Sequence, residues 1–183
     1  HAPKVKLNVH AIKPQSLDLL KNGQLDLIVG YYEQLGDYFY QQKLFEQYFV
    51  AIAAKDHPRL KNSKITLDEY LSENHIDVEV GAGHFSFENH IGELWAKRNK
   101  VMTLPSYLGV GLVVQQSDAI ATVPYYLSEV LLARGNLQIL ELPQDFPTYS
   151  IKQFWYISNH NDKSHQWIRQ VFYENLKGKD IRL

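Results

Sequence analysis

The sequence predicts an α/β chain folded as two lobes, and three observations predict it. From residue 76 to residue 142 short apolar runs alternate with helical stretches, the rhythm of an open, doubly wound sheet. Two polar breaks punctuated by proline, Lys55-Asp56-His57-Pro58 and the stretch from Pro143 to Pro147, mark places where the chain turns or changes lobe. At 183 residues the chain suffices for one ordinary core or for two small lobes. The expected division is a discontinuous lobe I from residues 1–54 and 146–183, with residues 55–145 as lobe II. Such folds take ligands in the cleft between lobes, at the carboxyl ends of strands.

Each element has its own signal. Lys4 to His10 alternates, with Val5, Leu7 and Val9 on one face, and predicts a strand with one buried side. Ser16 opens a short helix that Gly23 can end in a left-handed conformation. Leu25 to Gly30 follows as a buried strand, and this strand–helix–strand order predicts a parallel pair. Tyr48 to Ala54 is apolar on both faces, as a central strand must be. Thr66-Leu67-Asp68-Glu69 has capping-box spacing and opens a helix to about Ser72.

Beyond it the chain alternates regularly. Ile76–Val80 is a strand, Ser86–Arg98 a helix and Val101–Leu104 a strand. Ser106–Gln116 is a helix interrupted by Gly109 and Gly111, and Ala119–Val123 a buried strand. Pro124 then sits in the first turn of a helix that Gly135 ends, with Leu137–Leu142 as the next strand. A final strand, Ile151–Ile157, leads to a helix from Asp162 to Lys177 whose apolar stripe is Trp167, Ile168, Val171, Phe172 and Leu176.

Composition excludes several functions. The formal net charge of −1 leaves no cationic excess to neutralise a run of phosphates, so this segment is a poor nucleic-acid binder by itself. Cysteine is absent, which removes disulfides, thiolate catalysis and Cys-based zinc sites. The longest apolar run, Val50 to Ala54, is far too short to span a bilayer. The aromatic share of 13% is high, and rings fill a core or line a pocket for a planar ligand.

Four places offer binding chemistry. Gly83, His84 and Ser86 lie between a strand and a helix start, where a flexible backbone and first-turn amides accommodate an anion and His84 can donate a hydrogen bond. The competing reading is a helix cap and an ordinary loop histidine. Ser106 and Tyr107 repeat that geometry one unit later, as a hydroxyl and a stacking ring or as a cap and a core aromatic. Gly30 and Tyr31 leave the sheet at a strand end, facing the cleft or solvent. Phe154 and Tyr156 share one side of the last strand, in the cleft or in the core.

Catalytic constellations are hard to find. His84 and His90 are not at metal-ligand helical spacing, and no nucleophile elbow, P-loop or H-E-x-x-H occurs. Asp77 and Glu79, two apart on a strand, read as a solvated or partner-facing edge. Neither catalysis, a metal nor a cofactor is expected.

Specific stretches resemble a known family. Leu20-Lys21-Asn22-Gly23-Gln24-Leu25-Asp26-Leu27-Ile28-Val29-Gly30 resembles the L-x-x-G-x-L-D-L-x-I-G segment of LysR-type transcriptional regulators. Val50 to Pro58 followed by Ile65-Thr66-Leu67 is similar to that family's first lobe crossing. Leu104-Pro105-Ser106-Tyr107 and Ser117-Asp118-Ala119-Ile120-Ala121-Thr122-Val123-Pro124 resemble the branch responding to aromatic acids, nitroaromatics and flavonoids. Phe154-Trp155 and Trp167-Ile168-Arg169 match that branch's closing pattern.

The resemblance implies a cytoplasmic effector-sensing domain with a two-lobed, periplasmic-binding-protein type 2-like fold. It implies a small aromatic or carboxylate ligand, with His84 as a pocket histidine. Family members begin with a winged helix-turn-helix that binds promoter DNA, and their sensing lobe opens with one further strand and helix. The chain is therefore expected to be a fragment. Homodimers or tetramers are implied, through an edge strand carrying Val5, Leu7 and Val9 and a helix carrying Val113 and Val114. The alternatives from other classes are a solute-binding protein of a transport system and an enzyme on the same fold.

Overall fold

A strand apolar on both faces needs a core on each side, and Phe49–Ala54 has both. In the computed structural model, which describes residues 2–32, 34–79, 93, 96–143 and 147–177, all six of its residues are buried. In chain order the elements are α1 (Ser16–Lys21), β1 (Ile28–Gly30), β2 (Phe39–Gln47), β3 (Phe49–Ala54), α2 (Leu67–Ser72), β4 (Asn74–Val78) and β5 (Asn99–Leu104). Then come α3 (Val110–Val114), β6 (Ala119–Pro124), α4 (Tyr125–Leu132), β7 (Leu137–Leu140), β8 (Tyr149–Tyr156) and α5 (Lys163–Leu176).

Two sheets result. The larger has the order β5-β4-β6-β3-β7, and the smaller β1-β8-β2. In the larger, alternate residues of β3 feed opposite cores. Ala51 and Ala53 join Leu60, Ile65, Tyr70, Ile120 and Leu140 on the α2 side. Val50 and Ile52 join Ile76, Val110, Val114 and Val123 on the α3 side. A methyl on Gly111 would lie 3.2 Å from Leu131 and 3.3 Å from Leu137, so a glycine there lets α3 press against its neighbours.

The strand directions differ from a uniformly parallel sheet. β4 runs parallel to β5 and β6, but β3 is antiparallel to both β6 and β7. The reason is covalent. Only Tyr48 separates β3 from β2, so β3 arrives directly from the smaller sheet rather than through a crossover helix. This places β3 in the larger sheet, and the chain returns to the smaller sheet between β7 and β8.

The capping box forms as its spacing predicts. Glu69 N donates to Thr66 Oγ1 at 3.2 Å, and Thr66 N donates to the Glu69 carboxylate at 2.7 Å. These bonds hold the Glu69 carboxyl below the usual range. At the end of α1, Gly23 adopts φ +71, the left-handed turn that the glycine allows.

Three expectations need correction. Lys4–His10 is not a strand, and Val5, Leu7 and Val9 are 52%, 65% and 89% exposed. Alternation makes a strand only against a partner, and β1 pairs with β8, antiparallel. The nine-residue β2 had no clear sequence signal, because adjacent polar residues and an irregularity between Lys43 and Phe45 break its alternation.

The third correction concerns α5, which turns a polar pair inward: His165 and Arg169 are buried, whereas Trp167 is 41% exposed. Arg169 lies 4.2 Å over the Trp155 ring and donates to the Asn159 and His160 carbonyls and to His165 Nδ1. With Nδ1 accepting, His165 Nε2 donates to the Asp26 carbonyl at 2.7 Å. The helix is thus bolted to β8 and to the loop before β1.

Burial separates two apolar positions that the sequence alone treats alike. Ile52→Ala in β3 is expected to cost about 2–5 kcal/mol of unfolding free energy. Leu7→Ser on the exposed segment should stay within about 0.5 kcal/mol. Urea denaturation of both variants checks this, and equal losses would contradict the burial of β3.

Candidate ligand-binding site

The two sheets meet where strand ends converge. The antiparallel registers Gly30↔Lys152 and Gln47↔Tyr149 bring the end of β1, the end of β2 and the start of β8 to one end of the smaller sheet. From that end Tyr48 leads directly into β3. Tyr149 stands at the centre of the junction. Its ring packs edge-on to Tyr31 at 5.5 Å and stacks on Phe49 at 5.3 Å. Burial pushes the Tyr149 hydroxyl above the ordinary phenol range, and the nearby Tyr107 adds to the effect. Burial likewise raises the Tyr107 hydroxyl, helped by Asp77. Both remain neutral O–H groups, able to donate, throughout the physiological range.

Further aromatic contacts hold the crossing itself. Tyr48 stacks on Tyr125 at 4.8 Å, and Tyr125 N donates to the Tyr48 carbonyl at 3.0 Å. Phe45 of the smaller sheet meets Tyr126 of α4 edge-on at 5.0 Å.

Of the residues singled out in the sequence, Gly30, Tyr31 and Tyr107 lie at or beside this junction. A methyl on Gly30 would come within 2.5 Å of Ile12 Cδ1, so a side chain there would require the tip of Ile12 to move aside. Ser106 is exposed, and its Oγ accepts from Leu108 N at 3.2 Å, which makes it a cap. Gly83, His84 and Ser86 lie outside the described residues.

Phe154 belongs to the core instead. It is fully buried with Leu20 and Ile28, edge-on to Tyr32. Tyr156 packs against Phe39 at the far end of β8, roughly 23 Å from Tyr149 at about 3.3 Å per residue. Val114 is likewise fully buried in the core of the larger sheet, with Val113 half-buried beside it. The exposed apolar residues of that turn and helix are Leu108 and Leu112.

Sequence reasoning missed Tyr149, which follows a proline-rich break and carries no periodic signal. It also misplaced Asp77, whose side chain is only 14% exposed and lies 3.3 Å from the fully buried Arg98 guanidinium. Beside this pair, Arg98 also hydrogen-bonds the Tyr70 hydroxyl, which pairs with Thr122 Oγ1 at 2.8 Å. His75 Nε2 bonds the Tyr70 carbonyl at 2.8 Å, while its Nδ1 is buried without a hydrogen-bond partner among the described residues.

A model of the LysR substrate binding domain matches residues 1–177. This chain belongs to that family. The HTH-type transcriptional activator NahR of Pseudomonas putida is 29% identical over 170 residues, covering 91% of this chain and 56% of NahR. Nodulation protein D 1 of Sinorhizobium fredii is 24% identical over 173 residues, covering 93% of this chain and 53% of that protein. The chain spans about half the length of these relatives.

Among solved structures, the probable transcriptional regulator PA0477 of Pseudomonas aeruginosa has a TM-score of 0.74 at 26% identity, over 92% of this chain and 55% of that one. The effector binding domain of QuiR, solved in complex with shikimate, has a TM-score of 0.71 at 16% identity, over 92% and 80%. Both are LysR-like in fold, which is the two-sheet, periplasmic-binding-protein type 2-like architecture described above.

The family-matching stretches acquire structural roles in this LysR domain. His57 Nδ1 accepts from Leu60 N at 3.1 Å, which leaves Nε2 to donate to the Asp118 carbonyl at 2.9 Å. Arg59 joins the buried Glu73 carboxylate through Nε and Nη2, and reaches Asp118 through Nη1. His57-Pro58 and Ser117-Asp118 are therefore pins between loops at one end of the larger sheet.

Burial of His75 gives a pH signature. Desolvation, opposed by the bond to the Tyr70 carbonyl, lowers its pKa from 6.5 to about 4. A depressed base contributes stability above its unfolded pKa and loses it as pH falls toward the folded one. Unfolding free energy should therefore fall between pH 6.5 and 4, by at most about 1.4 kcal/mol per pH unit from this group. Denaturation of His75→Gln across that range should show a shallower acid slope, and an unchanged slope would remove His75 as its source.

Proposed function

We propose that this LysR domain senses a small effector, aromatic or carboxylate in character, held at the junction of its two lobes. The observation that carries the reading is the meeting of Tyr31, Tyr107 and Tyr149 from both lobes at strand ends. Rings there offer flat apolar surface, and neutral hydroxyls offer donors to ligand oxygens. On the family resemblance, Gly83, His84 and Ser86 complete the set, with Gly30 and Ser106 shaping its rim. QuiR, of the same fold, is seen with shikimate, a carboxylate ligand.

The mechanism is a population shift. A ligand touching both lobes favours one inter-lobe arrangement only by the difference in its affinity for the alternatives. On the family resemblance, this shift is passed to promoter DNA through a winged helix-turn-helix. The setting is a cytoplasmic homodimer or tetramer in which Val5, Leu7 and Val9 are available as contact surface. The relatives are transcriptional regulators, which supports sensing over transport or catalysis. Among the described residues no helix is long and apolar enough to cross a membrane.

Thermal denaturation against benzoate, cinnamate, simple phenols and shikimate tests the proposal. At least one is expected to raise the melting temperature of the wild type, by about 2.7 kcal/mol of added stability at a hundredfold excess over Kd. Tyr149→Ala should abolish the rise. A shift that survives in Tyr149→Ala, or none with any compound, would place the ligand elsewhere.

A further inference from the structure

Tyr149 has a neighbour on each side. β8 lies between β1 and β2, so Tyr31, just past the end of β1, stands on one side of it and Gln47, the last residue of β2, on the other. Gln47 pairs in register with Tyr149, and residues directly opposite in antiparallel strands present their side chains on one face, with Cβ atoms about 4.5–5.5 Å apart. The Gln47 amide therefore stands beside the Tyr149 ring at the junction. Only 5% of the residue's surface is exposed.

The two ends of that amide are told apart by their partners. Tyr48 N donates to Gln47 Oε1 at 3.1 Å. A backbone N–H can only donate, so the oxygen faces Tyr48 and Nε2 is turned away from it. Nε2 carries two donors and has no hydrogen-bond partner among the described residues. Other glutamines show how this fold treats such donors. Gln153 Nε2 donates to Gln42 Oε1 at 2.6 Å and to the Arg169 carbonyl at 3.1 Å. Gln138 Nε2 donates to the Ala54 and Leu60 carbonyls at 2.9 and 3.2 Å. Gln47 departs from that pattern at the place where the two sheets meet. A buried amide donor without an acceptor weakens the fold, and an acceptor that arrives with a ligand recovers the loss.

We propose that Gln47 is a ligand-contacting, specificity-determining residue whose Nε2 donates to an oxygen of the effector beside the Tyr149 ring. The bond from Tyr48 N to Oε1 fixes the direction of the donors before the ligand arrives. The ligand class this selects is a flat molecule with an acceptor oxygen next to its ring, a carboxylate being the strongest such acceptor. A group that only donates meets two N–H bonds head-on and is rejected. The proposal rests on the junction being the effector site, and adds to it the residue that reads the ligand's polar end.

Benzoate and benzamidine share a shape but end in acceptors and donors respectively, so the ratio of their dissociation constants reports on this contact. The wild type is expected to prefer benzoate. Gln47→Met keeps the length of the side chain and removes its donors, and should weaken benzoate roughly ten- to a hundredfold without weakening benzamidine. Gln47→Glu keeps the oxygen that accepts from Tyr48 N and replaces the donors with an acceptor, so benzamidine should gain and the preference invert. A magnetic-resonance titration of isotope-labelled wild type needs no variant to fold. The Gln47 side-chain amide, identified by its proximity to the Tyr48 N–H, should shift as benzoate is added.

An unchanged ratio in both variants, an equal weakening of both probes, or a Gln47 amide signal that stays still while benzoate binds would overturn the role of Gln47. The junction would stand as the site in those cases if Tyr149→Ala still weakens benzoate. Benzoate binding that is unaffected by Tyr149→Ala, or absent in the wild type, would overturn both.

Discussion

Strand β3 is the constraint on which the rest depends. Its six residues are all buried and alternate between two cores, so the larger sheet has no stable arrangement that leaves β3 at an edge. It is also tied to β2 through a single residue, Tyr48. A central strand of one lobe is therefore the direct continuation of an edge strand of the other. The start of β8 must lie beside that link, because Tyr149 pairs with Gln47. The junction is where it is because two covalent crossings are held side by side by strand pairing, and the aromatic contacts follow from that placement.

Polar side chains, not apolar ones, fix how the loops and the last helix seat on this frame. His57 and His165 behave alike: one ring nitrogen accepts, which commits the other to donate to a carbonyl distant in sequence, Asp118 in one case and Asp26 in the other. Each histidine thereby ties its own segment, a loop for His57 and helix α5 for His165, to a loop that no strand pairing connects to it. Such bonds add little net energy individually, but a broken one strands a buried donor or acceptor. The family-like sequence around His57, Asp118 and Arg169 has an architectural explanation without any part in ligand chemistry.

The limits of legibility follow the same division. Periodicity and caps announce themselves locally, so β3, β6, α2 and the boundaries of α5 were readable. Lys4–His10 misled because its alternation is real but its partner is absent among the described strands. Phe39–Gln47 hid because a bulge disrupts the period. The inward face of α5 misled because an arginine stacked on tryptophan substitutes for an apolar stripe. For the site, glycine and tyrosine at the end of a strand were visible as a chain leaving a sheet. Tyr149 and the Arg98–Asp77 pair were not. Their meaning arises from partners about a hundred and about twenty residues away, and no local pattern encodes such a pairing.

An aromatic junction alone is a weak discriminator, since rings accept most flat ligands with modest differences in energy. Discrimination can instead come from where the rings stand. Tyr31 follows β1 and Tyr149 starts β8 of the smaller sheet, while Tyr107 follows β5 of the larger one. On the proposed reading, a ligand that reaches only one lobe leaves the inter-lobe equilibrium where it was, since equal affinity for both arrangements shifts nothing. Response then requires a molecule that touches both lobes at once, so selectivity in signalling can exceed selectivity in binding.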